Sequence, residues 1–169
     1  MAESELHKSI KIQAVTYINN KGYYVARKEV PDHYYGIVDA WGIRPRDLYT
    51  MGVEVKVSRS DWLAAKHKDA RTEQVNLNGY KGWTSMNEVY YACPSGLIMP
   101  DEVSHSVGLL WFDGKRFKNK KKPRFVKVHL ADKMQTMLKL YDPWITTFPA
   151  MSTIGPTSSA AYQLPPASY

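Results

Sequence analysis

The chain predicts an α/β domain, an α+β arrangement of helices and strands, and three observations carry that expectation. Apolar residues recur at helical spacing near both ends of the first 142 residues: Leu6, Ile10, Ala14, Tyr17 and Ile18, then Met134, Met137, Leu138 and Tyr141. Between them lie short runs rich in Val, Ile, Tyr and Trp, separated by Pro, Gly and Asp. At Ser58-Arg59-Ser60-Asp61 the period changes from strand to helix, in the S-x-x-D pattern of a capping box.

Taken in order, Ser4 caps the first helix, and Asn19-Asn20-Lys21-Gly22 ends it with a cation and a glycine. Residues 23–30 (YYVARKEV) form a strand closed by Pro31-Asp32-His33. Residues 37–43 (IVDAWGI) and 52–57 (GVEVKV) follow as strands, with a loop at Arg44-Pro45-Arg46-Asp47. The helix capped by Ser58 begins with Trp62-Leu63-Ala64-Ala65, but residues 66–87 show no clean period and leave its end open. Residues 89–93 (VYYAC) and 107–112 (VGLLWF) are strands, the second stopped by the hairpin dipeptide Asp113-Gly114. Residues 125–130 are expected to pair with it across a basic loop, and residues 131–141 make the last helix.

The chain has 169 residues, enough for one ordinary domain with its own core, and a formal charge of +7. A hydrophobic fraction of 44% excludes a wholly disordered chain. No apolar run has the length of a membrane span, the start does not read as a signal peptide, and Cys93 has no partner for a disulfide. A cytoplasmic domain without membrane contact is therefore expected. Residues 1–142 form that domain. Residues 143–169 hold five of the ten prolines and no Asp, Glu, Lys, Arg or His, so they read as an extended or disordered Pro/Ser/Thr-rich tail. Its Trp144, Ile145, Phe148 and Ile154 suit docking on a groove of this chain or of a protein partner.

The chemistry concentrates at Asp39 and, fifteen residues on, Glu54-Val55-Lys56. In a strand Val53, Val55 and Val57 face one side, and Glu54 and Lys56 the other. With the strand of Asp39 alongside, two carboxylates and a backbone carbonyl such as that of Val55 make an oxygen-rich site suited to Mg²⁺, or Mn²⁺ in its place. A lysine beside such an ion completes what phosphodiester hydrolysis requires, since it orients water or balances charge on the phosphate. The bland alternative is a solvated Glu-x-Lys strand face.

Asp39 followed by Glu54-Val55-Lys56 resembles the signature of the PD-(D/E)xK nuclease superfamily, although residue 38 is Val where the eponymous motif has proline. The run from Glu54 to Trp62, EVKVSRSDW, is similar to the E-V-K-x-S-x-x-D-F segment of MmcB-like DNA repair proteins. Residues 90–98 (YYACPSGLI) and 107–110 (VGLL) are similar to that family's Pro-x-Gly-Leu turn and following strand. The resemblance spans roughly residues 5–112 and implies a restriction-endonuclease-like αβββαβ core with helices flanking a mixed central sheet. It implies Asp39 and Glu54 as metal ligands, Lys56 as catalytic lysine, and Ser58 and Asp61 as residues ordering them. Many members add an acid from the first helix, for which Glu5 is the candidate here. A bacterial or phage setting is implied, and many such nucleases pair, so a homodimer is among the implied assemblies.

Lys115, Arg116, Lys118, Lys120, Lys121, Lys122 and Arg124 place seven cations within ten residues. Without them the chain has 16 basic and 16 acidic residues, so the whole net charge resides in one segment. A hairpin tip of this kind holds phosphate without reading sequence, which makes DNA the expected partner and leaves RNA open. Tyr34, Tyr35, Tyr80 and Trp83 fall in expected loops, where rings stack on bases or close the core, whereas Trp41, Tyr90, Tyr91 and Trp111 fall in strands as core. Two functions follow as expectations: a metal-dependent nuclease of DNA repair or processing, or a non-catalytic nucleic-acid-binding module of the same fold within a larger assembly.

Overall fold

A computed structural model describes residues 4–32, 36–64 and 86–141. Ser4 opens the first helix, α1 (Glu5–Asn20), its hydroxyl accepting from the His7 N–H at 3.2 Å. Ile10, Ala14 and Ile18 form its buried stripe. Three antiparallel strands follow: β1 (Val25–Asp32), β2 (Gly36–Arg44) and β3 (Tyr49–Val55). A second helix, α2, is described over residues 59–64. β4 (Glu88–Pro94) then adds parallel to β3, and β5 (Gly108–Phe112) parallel to β4. β6 (Phe117–Lys121) returns antiparallel to β5, and α3 (Leu130–Tyr141) ends the described chain. The sheet is mixed and six-stranded, in the order β1-β2-β3-β4-β5-β6, with αβββαβ as its leading element order.

Helices cover both faces. On one, α1 packs with Ala40, Met51, Val53, Val55 and Leu110. On the other, Trp62 of α2 and Met137 and Leu140 of α3 meet Trp41, Tyr91 and Leu109. Trp62 is 1% exposed and packs edge-on against Tyr91 at 4.9 Å, which pins the start of α2 to the sheet. Ser58 caps α2 as expected, its hydroxyl accepting from the Asp61 N–H at 3.2 Å. The strand positions of Trp41, Tyr90 and Tyr91 are buried as expected, and Trp111 is partly buried.

One strand differs from expectation. Residues 122–129 are irregular, and the partner of β5 is the lysine-rich Phe117–Lys121 itself, so much of the basic segment is an edge strand. An edge strand has solvent along one side and needs no apolar alternation; lysines there also discourage pairing with another sheet. The far end of α2, residues 143–169, and the rings of Tyr34, Tyr35, Tyr80 and Trp83 lie outside the described residues. Among the described residues no helix is long and apolar enough to cross a membrane.

α1 approaches β2 at Gly42, where a Cβ would collide with Ile18 Cγ2 and stand 3.3 Å from the Val25 carbonyl oxygen. Gly42→Ala is therefore expected to cost about 1–3 kcal/mol of stability through overpacking. Urea unfolding followed by circular dichroism measures it, and an unchanged midpoint would contradict the close approach.

Candidate functional site

The last ladder pair between β2 and β3 is Ala40 opposite Val53, so continued register sets Asp39 opposite Glu54. There the backbone pairing gives way to a side chain: Asp39 Oδ2 accepts the Val55 N–H at 2.8 Å. Beyond it, the Lys56 N–H continues onto the Ala92 carbonyl of β4 at 2.9 Å. Asp39 thus holds the peptide that follows Glu54 and closes the gap between the strands.

Four carboxylates and two ammonium groups meet around this gap. Asp39 Oδ1 lies 3.4 Å from Lys11 Nζ, which also donates to Glu29 Oε1 at 2.9 Å. Glu29 stands opposite Asp39 by the β1–β2 register and adopts a positive φ of 56°, a conformation uncommon for a glutamate within a strand. His7 Nε2 is 3.6 Å from Asp39 Oδ2. Across β3, Lys56 Nζ donates to Glu54 Oε1 at 3.1 Å and to Asp61 Oδ1 at 3.4 Å. Both lysines are buried, at 6% and 7% exposure for Lys11 and Lys56. With their charges counted, Glu29, Asp39, Glu54 and Asp61 leave an excess of two negative charges.

Burial of the Lys56 ammonium works to lower its pKa, but Glu54 and Asp61 outweigh it, and the pKa stands above the usual lysine value. Lys56 is therefore a cation at neutral pH, a donor and counter-charge rather than a base.

The expected site residues Asp39, Glu54, Lys56 and Asp61 come together around the β3 end, and Ser58 holds Asp61 through its backbone. Glu5 does not join them: its carboxylate is 89% exposed and pairs with Lys8 at 2.7 Å. From α1 it is His7 and Lys11 that reach Asp39, one turn apart. The sequence carried a signal for them, because His7, Lys11, Ala14 and Ile18 lie on one helical stripe that is otherwise apolar.

Among the described residues no group of three or more His, Cys, Asp or Glu is placed to hold a metal ion. Asp39, Glu54 and the Val55 carbonyl are hard oxygen donors, but both Asp39 oxygens already have partners, Oδ2 the Val55 N–H and Oδ1 the Lys11 ammonium. Mg²⁺ is commonly held by one or two carboxylates, its other positions filled by water and substrate phosphate.

The seven cations of residues 115–124 divide by role. Lys121 Nζ donates to the carbonyls of Pro100 and Val103 and so ties down the 95–107 connection. Lys118 pairs with Asp113 at 3.2 Å, and Lys120 lies over the Trp111 ring at 4.7 Å. Asp113 accepts the Arg116 and Lys115 N–H groups, and these bonds, with Lys118, hold its carboxyl down at about 2. Among the described residues Lys115, Arg116, Lys122 and Arg124 form no ion pair, and all four are exposed.

The fold defines the class first: an α+β protein whose mixed sheet carries an acidic, lysine-bridged gap. No family model matches the chain, and no curated protein matches it. A solved structure with the same fold is a protein of unknown function from Silicibacter pomeroyi, 19% identical, with a TM-score of 0.59. That similarity covers 84% of this chain and 95% of the other.

Replacing Lys56 by Met leaves Glu54 without its cation, and a loss of about 3 kcal/mol is expected at pH 7. Because the folded pKa of Lys56 is the higher one, its contribution is whole below the unfolded value near 10.4 and fades as pH rises through the folded value. The stability gap between wild type and Lys56→Met should therefore narrow above about pH 10.5. Urea titrations at neutral and alkaline pH measure it, and a constant gap would remove the ionic role.

Proposed function

We propose that the protein is a metal-dependent nuclease acting on DNA. The observation that carries the reading is the meeting of Asp39, Glu54 and Lys56 where β2 and β3 part. Mg²⁺ or Mn²⁺, held by Asp39, Glu54 and the Val55 carbonyl, would supply positive charge at the scissile phosphate and a water of lowered pKa. Asp39 is oriented for such a role by the Val55 N–H and Lys11, and Lys56 by Glu54 and Asp61. Fixed partners of this kind avoid reorganisation as charge develops on the phosphate, which Lys56 then balances as an ammonium. The resemblance of residues 54–62 to MmcB-like DNA repair proteins supports the same reading. Cys93, free and buried with its thiol pushed up to about 11 by burial, is in keeping with a reducing, cytoplasmic setting.

A nucleic-acid-binding module without cleavage is the second reading, and one observation favours it. Asp39 and Lys56 already have internal partners of opposite charge, so the site is balanced in part without an added ion. Uptake of the divalent cation separates the two readings.

Incubated with duplex, single-stranded and branched DNA in Mg²⁺ or Mn²⁺, the wild-type protein is expected to cut at least one form. Lys56→Ala should lose about 10²-fold or more in rate, and Asp39→Ala and Glu54→Ala should lose cleavage together with calorimetric metal uptake. Cutting by Lys56→Ala at the wild-type rate would remove the mechanism, and metal-independent DNA retention without cleavage would favour the binding module.

Affinity for DNA should reside in the four exposed cations without ion pairs. Neutralising Lys115, Arg116, Lys122 and Arg124 together should flatten the slope of log affinity against log salt by roughly 3 to 4. Neutralising Lys121 should instead lower the melting temperature, because it leaves the Pro100 and Val103 carbonyls without their donor. An unchanged slope in the fourfold variant would exclude these residues from the phosphate path.

A further inference from the structure

At the other end of α1 from Asp39 a cleft of about 430 Å³ opens on the same face of the sheet. Lys11 and Lys21 are separated by ten residues of helix, about 15 Å along its axis, so this cleft is distinct from the acidic gap. Its size suits a small ligand.

Four tyrosines line it: Tyr17 from α1, Tyr23 ahead of β1, Tyr49 from β3 and Tyr90 from β4. Tyr90 lies across Gly108 of β5, where a Cβ would overlap the ring; the glycine makes room for it. The Asn119 side chain and the Glu88 carboxylate line the cleft together with these phenols. Burial raises the pKa of all four phenols, Tyr49 to about 12, so each presents a neutral hydroxyl at physiological pH.

The charges in the cleft are segregated. Glu88 is the one carboxylate among the described lining residues, while Lys21 and Lys122 are exposed. Arg44 lies over the Tyr23 and Tyr49 rings at 5.6 and 5.0 Å and is tied by two hydrogen bonds to Asp47, so its charge is largely neutralised where it stands. A ligand that uses all of these features has a flat ring for the tyrosines, N–H donors for Glu88 and an anionic group for the two lysines. Inorganic phosphate lacks the ring, and an aromatic acid lacks the donors.

We infer that this cleft binds a nucleotide, with its base beside Tyr17 and Tyr49, the two lining tyrosines that are only partly buried, the base's N–H edge on Glu88 and its phosphate between Lys21 and Lys122. Guanine, which sets a ring N–H beside an amino group, matches a carboxylate better than uracil, whose single N–H lies between two carbonyls. The nucleotide is either free or one unit of a single strand; Lys122 belongs to the basic segment that continues from β6, so both sources reach the same chemistry.

The test is calorimetric titration of the full wild-type chain in EDTA, so that the outcome is independent of metal binding and metal-dependent cleavage. Guanosine monophosphate is expected to bind roughly tenfold or more tightly than ribose 5-phosphate or inorganic phosphate. Tyr49→Ala should weaken it by a similar factor, while Tyr49→Phe, which keeps the ring, should retain most of the affinity. Lys21→Ala with Lys122→Ala, both at exposed positions, should weaken every phosphate ligand, and Glu88→Gln should reduce the preference for guanosine over uridine monophosphate. Competition identifies the source: a single-stranded oligonucleotide that displaces guanosine monophosphate makes a strand unit the ligand, and one that does not leaves the free nucleotide. Guanosine monophosphate binding no tighter than inorganic phosphate, or unchanged in the Lys21/Lys122 double variant, would overturn the assignment.

Discussion

The arrangement of this molecule turns on one hydrogen bond, from the Val55 N–H to the Asp39 carboxylate. β2 and β3 pair regularly up to Ala40 and Val53 and then separate. A buried N–H left without an acceptor at that point would cost about 1–3 kcal/mol. Asp39 supplies the acceptor from a side chain, at 2.8 Å, and so allows the strands to part while the sheet stays closed. β3 is then free to continue along β4, which carries Lys56 onto the Ala92 carbonyl and turns its side chain toward Glu54 and α2. The carboxylate that completes the sheet also pairs with the buried Lys11 ammonium, so backbone pairing and charge balance share a constraint at Asp39.

Burying two lysines near this point is costly unless their charges are matched. The structure matches them twice over, with Glu29 and Asp39 around Lys11 and with Glu54 and Asp61 around Lys56. Each carboxylate comes from a different element, so the cluster exists only when β1, β2, β3 and α2 are all in place. Trp62, buried beside Asp61, links the packing of α2 directly to the charge on Lys56.

Much of the fold was legible because its elements carry strong periodicities. The stripe from Ile10 to Ile18, the alternation from Val53 to Val57 and the cap at Ser58 each have a local physical cause that does not depend on distant residues. β6 was not legible, because Phe117–Lys121 has only one apolar residue and its pairing comes from the exposed edge of β5. Glu5 looked suited to the site by charge and position in the first turn, yet helix phase decides which side chains face the sheet, and phase favours His7 and Lys11. Lys121 looked like one more surface cation in a run of them. Its task of holding the Pro100 and Val103 carbonyls arises from a connection more than fifteen residues away.

By itself the sequence determined the order of helices and strands as far as β5, the pairing of Glu54 with Lys56 on one strand face, and the confinement of the net charge to residues 115–124. Those features follow from local spacing and composition. Only the tertiary structure decided that β2 and β3 part at Asp39, that Lys11 and Glu29 join the acidic cluster, and that four tyrosines from separate elements line a cleft with Glu88. These depend on register and on which faces pack together, set by the burial of Trp41, Trp62 and Tyr91 across the whole sheet. No local pattern encodes such long-range contacts, which is why the chemistry of single residues was readable before their neighbours were.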